Sequence, residues 1–165
     1  MAVGVFPGSF DPLTTAHLAV ADAVTDALGL ERLDLVMSEV ALAKEHGGHA
    51  SLEDRLAAIA AAAVGRPHLR GLVTARRLIA DIAEGYDVCV VGADKWHQLH
   101  DVAFYGGSSE ARDAALARLP RLAVAPRPGV AAPTLSGDAV LLDLDPAFGE
   151  VSSSAVREGR EQWRA

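Results

Sequence analysis

Six short apolar runs punctuate the chain: Ala2 to Phe6, Leu33 to Met37, Leu69 to Val73, Asp87 to Val91, Arg121 to Ala125 and Ala139 to Leu144. The stretches between several of them carry helical spacing instead. Leu52, Leu56, Ile59 and Ala63 recur at i, i+4, i+7 and i+11, which makes one buried helix face. Continuous apolar strands alternating with amphipathic helices predict parallel strands covered on both faces, an α/β architecture. Asp87 to Val91 is rich in β-branched residues and is expected to be a central strand. In such a sheet, ligands bind where strand ends run into helix starts.

Helix boundaries are marked by their punctuation. An alanine-rich helix is expected from about Thr15 to Leu28, with Gly29 as its stop. Ser51 caps a second helix, with Glu53 and Asp54 countering the macrodipole in its first turn. A third is expected over Ala75 to Glu84, stopped by Gly85, and a last one from about Ser153 to Trp163. Pro126, Pro128, Gly129, Pro133 and Gly137 mark an irregular loop between the last two strands. At 165 residues the chain predicts one domain over residues 1–165.

Charge narrows the partners. A net charge of −7 gives no general attraction to nucleic acid or to an anionic membrane surface, so an anion must be held by a few placed groups. No run approaches the roughly 20 apolar residues of a membrane span, and the first residues do not read as a secretory leader. The single cysteine, Cys89, lies in an apolar strand and forms no internal disulfide. A cytoplasmic location is therefore expected.

Two segments carry chemistry. Gly8-Ser9-Phe10-Asp11-Pro12-Leu13-Thr14-Thr15-Ala16-His17 leaves the first strand and opens the first helix. Gly8 permits close backbone approach, and a helix start offers unpaired amides. His17, placed there, can donate to an oxyanion. Val151-Ser152-Ser153-Ser154-Ala155-Val156-Arg157 opens the last helix, where Arg157 leans back over the start with its forked donors. Each segment alone also reads as an ordinary capped turn. Neither a Walker loop nor a dinucleotide fingerprint is present.

Together, GSFDPLTTAH and VSSSAVR resemble the paired signature of the nucleotidyltransferase superfamily, G-x-F-D-P-x-[HT]-x-G-H and I-S-S-[ST]-x-x-R, across residues 4–157. The resemblance implies a Rossmann-like α/β fold with helices on both faces of a parallel sheet. It also implies transfer of a nucleotidyl group from a nucleoside triphosphate to an acceptor phosphate, with release of pyrophosphate. The VSSSAVR segment is similar to the adenylyl branch, which points to ATP, normally with Mg²⁺ bound to it. Ala16 replaces the family glycine, and Thr14 stands at the first motif histidine, as in phosphopantetheine adenylyltransferases.

Gly92-Ala93-Asp94 and the Ala125 to Gly129 segment resemble the G-A-D and S-R-P-G stretches of nicotinate and nicotinamide mononucleotide adenylyltransferases. The resemblance implies that Gly8, Ser9, Phe10, Thr14, His17, Gly92, Asp94, Ser152, Ser153, Ser154 and Arg157 line an ATP site. His17, Lys44 and Arg157 would be catalytic, and Lys44 and Trp96 would contact the acceptor. Asp94 also reads as a helix cap, Lys44 as a solvated loop residue and Trp96 as core. His46/His49 and His97/His100 have H-x-x-H spacing without a third ligand in register. Phe104 to Ser108 reads either as an acceptor lid or as a surface loop. Nicotinate mononucleotide is the favoured acceptor and 4′-phosphopantetheine the alternative. A nucleotide-binding sensor without turnover is the reading from another class, and a homo-oligomer is compatible with any of them.

Overall fold

The computed structural model describes residues 2–42 and 49–165. Its centre is a sheet of six strands in the order β3-β2-β1-β4-β5-β6, all parallel. The strands are β1 (Ala2–Pro7), β2 (Leu30–Ser38), β3 (Leu69–Thr74), β4 (Val88–Gly92), β5 (Arg121–Ala125) and β6 (Val140–Leu141). The helices are α1 (Thr15–Leu28), α2 (Glu39–Leu42), α3 (Leu52–Ala63), α4 (Ile79–Ile82), α5 (Ala93–His100), α6 (Ser109–Arg118) and α7 (Ser153–Arg157). This is the covered parallel sheet expected from the alternation of runs, in the Rossmann-like arrangement that the resemblance implies. None of the helices is long and apolar enough to cross a membrane, among the described residues.

The two-residue period of the strands divides the core into two layers. Leu33, Leu35 and Met37 of β2 join Val88, Val90 and Ala123 on one face, beneath Val20, Ala21 and Val24 of α1 and Ile59 of α3. Val36, Cys89, Val91 and Val124 point the other way, beneath Ile82 of α4 and Trp96 and Leu99 of α5. Burial pushes the Cys89 thiol up to about 12.

One position on the second face breaks the apolar rule. Asp34 has no solvent exposure. It accepts two bonds from Arg70 (3.1 and 2.9 Å), one from Arg32 Nε (3.0 Å) and one from the Tyr86 hydroxyl (2.7 Å). Burial alone raises its pKa, but the bonds from Arg70, Tyr86 and Arg32 outweigh burial and hold it below the ordinary aspartate value. Arg70 and Tyr86 come from β3 and from the turn before β4, so of its partners only Arg32, two residues away, is legible in the sequence.

Helix boundaries agree with their signals where a cap is present. Gly29 ends α1 in the left-handed region (φ 61°), and Ser51 accepts the Asp54 amide at the start of α3. The expected helix over residues 75–84 is only four residues long. Thr74 Oγ1 takes the Arg76 amide (3.2 Å) and Ser38 Oγ donates to the Arg76 carbonyl (2.6 Å), so those backbone groups are satisfied outside a helix. The expected last helix stops at Arg157, because Gly159 turns the chain at φ 116°. A separate 3₁₀ turn, Glu161–Trp163, follows.

Two helices, α5 and α6, lack a full signal in the sequence. The α5 start has no side-chain cap, and α6 buries none of its residues, so neither has the usual cap-plus-apolar-face pattern. Between them, a 3₁₀ turn, Val102–Tyr105, takes in only Phe104 and Tyr105 of the stretch expected as lid or loop, and its Tyr105 hydroxyl donates to Leu99 O (2.9 Å).

β1 pairs with both β2 and β4, so the chain connections run outward in opposite directions from this point. A crevice opens at such a switch point, at the carboxyl ends of the strands. The loop from Pro7 to Thr14 emerges there.

Candidate active site

The β1–α1 loop is shaped by its own aromatic plug. Phe10 is buried, with a backbone φ of 46°, and its ring lies edge-on to Phe6 (5.4 Å) and to His17 (5.1 Å). A Cβ at Gly8 would meet that ring at 2.8 Å. The glycine therefore makes room for Phe10. The Gly8 amide donates to Val36 O (3.0 Å), so it is already paired with β2. The loop is carried by the sheet, and its anion-facing groups lie further on.

His17 occupies the third position of α1 and closes a capping box with Thr14. The Thr14 amide donates to His17 Nδ1 (3.0 Å), and Thr14 Oγ1 accepts the His17 amide (3.3 Å). An amide can only donate, so Nδ1 is an acceptor and the ring proton resides on Nε2. Burial drives the His17 pKa down to about 4, and the imidazole is neutral at physiological pH. His17 is thus a neutral donor with a fixed tautomer. Thr14 is itself buried, and its side chain orients the histidine.

The second motif docks on the same loop. Ser152 caps α7 by accepting the Ala155 amide (3.0 Å). Ser153 Oγ donates to Pro12 O (2.8 Å), and Ser154 Oγ accepts from Arg157 Nη2 (3.1 Å). Arg157 Nη1 donates to Asp11 O and lies 3.7 Å from the Asp11 carboxylate. Cap, clamp and orienting acceptor are thus divided among three successive hydroxyls. A five-residue helix has little macrodipole, so this motif acts through its side chains.

Asp11, which its motif alone gives no role, joins these parts. It is buried and paired with Arg55, also buried, at 3.5 Å. His49 Nδ1 and the Ala50 amide (3.1 Å) also bond its carboxylate. Burial pulls its pKa upward, but the His49 and Ala50 hydrogen bonds and the Arg55 charge prevail, and Asp11 is held below the ordinary value. Arg55 in turn donates to Ser9 O (3.2 Å) and Ala50 O (2.9 Å). The available signal was an arginine one turn into a capped helix, on a position that helical spacing places inward.

A neutral donor, a guanidinium and a set of clamped hydroxyls thus surround one loop at a sheet switch point. Such an arrangement can hold a polyphosphate without a large cationic patch. The family model described as cytidylyltransferase-like matches residues 5–159 of the chain. The chain belongs to the cytidylyltransferase-like family. Three relatives, each described as a probable nicotinate-nucleotide adenylyltransferase, are similar to it. That of Rubrobacter xylanophilus is 42% identical over 66 residues, covering 39% of this chain and 31% of the relative. That of Chromobacterium violaceum is 34% identical over 140 residues, covering 77% and 63%. That of Gloeobacter violaceus is 30% identical, covering 99% of this chain and 87% of the relative. The matched stretches span less than two thirds of the first two relatives.

The remaining site expectations separate. Gly92 and Asp94 lie at the carboxyl end of β4, on the edge that carries the loop. Gly92, not Asp94, is the N-cap of α5. Asp94 Oδ2 accepts from Arg127 Nη1 (2.7 Å), 33 residues away in the loop after β5, while Oδ1 is buried and has no partner among the described residues. Trp96 is not brought to the Thr14–Arg157 cluster. Its ring stacks on His100 (4.0 Å) in the second core layer, lining a cleft with Pro120 and Asp138 at the amino ends of β5 and β6. Lys44 and His46 lie outside the described residues.

Proposed function

We propose that this protein transfers AMP from ATP to the phosphate of a mononucleotide, nicotinate mononucleotide foremost, and releases pyrophosphate. The observation that carries the reading is that His17 and Arg157, 140 residues apart, bond the same β1–α1 loop, the one at Thr14 and the other at Asp11. The descriptions of the three relatives support the choice of acceptor.

An acceptor phosphate oxygen is already anionic at neutral pH, so attack on the α-phosphorus needs no general base. One P–O bond forms, the bond to the β-phosphate bridge breaks, and pyrophosphate leaves with the electron pair. Catalysis of this kind is positioning plus stabilisation of charge that develops on the phosphoryl and bridging oxygens. Nε2–H of His17 donates to a phosphate oxygen without any change in protonation. Arg157 supplies charge, and Ser152 to Ser154 shape its approach. Ser9, Phe10, Gly8 and Thr14 form the floor of the ATP site, and Gly92 and Asp94 its ribose side, where the unpartnered Oδ1 accepts from a hydroxyl. Mg²⁺ enters as part of the MgATP substrate. Lys44 serves the acceptor side. The buried, unpaired thiol of Cys89 suits a reducing cytoplasm.

The test is turnover. ATP and Mg²⁺ are incubated with nicotinate mononucleotide, nicotinamide mononucleotide or 4′-phosphopantetheine, and pyrophosphate and adenylylated product are measured. Product with nicotinate mononucleotide is the expected result. Exclusive use of phosphopantetheine transfers the assignment to that acceptor, and ATP binding without pyrophosphate from any acceptor overturns the enzyme reading in favour of a sensor.

A further inference from the structure

The phosphate loop is poor in positive charge for an anion as large as a nucleoside triphosphate. Among the described residues, Thr14 is neutral, His17 is held neutral, and Arg55 and Arg157 both lie against the Asp11 carboxylate. The fold brings one more guanidinium to this place, from a segment that neither motif includes. After the 3₁₀ turn at Glu161–Trp163, the chain becomes extended at Arg164 (φ −67°, ψ 132°). It then runs antiparallel to the loop, with Arg164 bridged to Thr14 and the Ala165 amide donating to Leu13 O (3.1 Å).

Directly opposed residues of an antiparallel pair project their side chains to the same side, with Cβ atoms about 5 Å apart. The Thr14 side chain is turned toward the His17 ring, its Oγ1 3.1 Å from Nδ1. Arg164 therefore leaves the bridge on the side to which the Thr14 side chain turns. Asp11 lies close enough to favour the charged form of Arg164, after the larger effect of its hydrogen bond to Glu161.

Arg164 is held in a particular way. Its Nε and Nη2 are forked on Glu161, at 2.6 and 2.9 Å, and both side chains are half exposed or more. An exposed pair three residues apart is a weak interaction and exchanges readily. The fork that fits a carboxylate also fits a phosphate. We propose that Arg164, carried to the mouth of the phosphate loop by its bridge to Thr14 and held in reserve by Glu161, binds the triphosphate of ATP as a further cation of the site. This rests on the ATP reading given above and adds a residue to it. The backbone bridge and the guanidinium have separable jobs, because the bridge survives any non-proline side chain at position 164.

The experiment is calorimetric titration of wild type, Arg164→Gln, Arg164→Lys and Glu161→Gln with MgATP and with AMP. Arg164→Gln is expected to weaken ATP by about 5- to 10-fold, in line with the loss of one charge-assisted hydrogen bond, and AMP by less than about twofold. Arg164→Lys recovers part of the loss. Glu161→Gln tightens ATP by about twofold, because the competing carboxylate charge is gone. Wild-type ATP affinity in Arg164→Gln overturns the proposal and leaves the function reading intact, as does an equal loss for ATP and AMP. A Glu161→Gln variant that loses ATP affinity alongside Arg164→Gln marks the pair as a structural clamp and overturns it too. A wild-type protein that binds no ATP overturns both readings.

Discussion

Replacing His17 separates two functions that one imidazole combines. Nδ1 accepts the Thr14 amide in the capping box, while Nε2 carries the proton offered to a phosphate. In His17→Asn the amide oxygen can take over the first role, and nothing reaches the second. Loss of one donor to developing charge costs about 10²- to 10³-fold in kcat, or about 3–4 kcal/mol of barrier. In His17→Gln the longer side chain can cap with its oxygen and donate with its nitrogen, so most of the rate should return. Stability offers an independent readout. Unfolded, the imidazole takes up a proton near pH 6.5; folded, it does so only at about 4. Between those values the unfolded chain binds the additional proton, so stability falls as pH falls through this window and is flat above it. The fall amounts to about 3 kcal/mol at most. It should vanish in both variants, which have nothing to protonate. Pyrophosphate release gives the rates, and urea unfolding at intervals between pH 7.5 and 4 gives the slopes. A His17→Asn enzyme at wild-type rate, or a variant that keeps the wild-type acid slope, refutes the assignment of a half-buried neutral donor.

Three further outcomes follow from the geometry. Arg157→Ala removes the guanidinium shared by Asp11 and Ser154, and should weaken ATP about 10- to 100-fold, the range for hydrogen bonds to charged groups; unchanged affinity in calorimetry returns Arg157 to a structural role. Asp34→Asn leaves the half-exposed Arg70 and Arg32 facing a neutral amide at a buried position, and should lower stability by about 1–2 kcal/mol in urea titrations with kcat unchanged, since the residue lies outside the nucleotide site. Cys89, buried and raised to about 12, should resist iodoacetamide at pH 8 in the native protein and react on unfolding; rapid native labelling contradicts the packing of the second layer.

What the sequence determined by itself is local or periodic. The apolar runs specify strands because six short runs satisfied on both sides admit little except a covered parallel sheet. Gly29 and Ser51 end and begin helices because a cap is a bond between near neighbours, visible wherever the two residues stand. The two motifs were legible for the same reason, each being a strand-to-helix turn with its own caps. Tertiary structure decided everything that needed a partner distant in the chain. It made Asp11 a junction for Arg55, His49 and Arg157, and gave Asp34 its Arg70 and Tyr86 partners. It turned Trp96 into a core ring, and it laid Arg164 against Thr14. The physical reason is that the protonation state and direction of a buried polar group depend on what surrounds it, and those surroundings exist only once the strands have found their order.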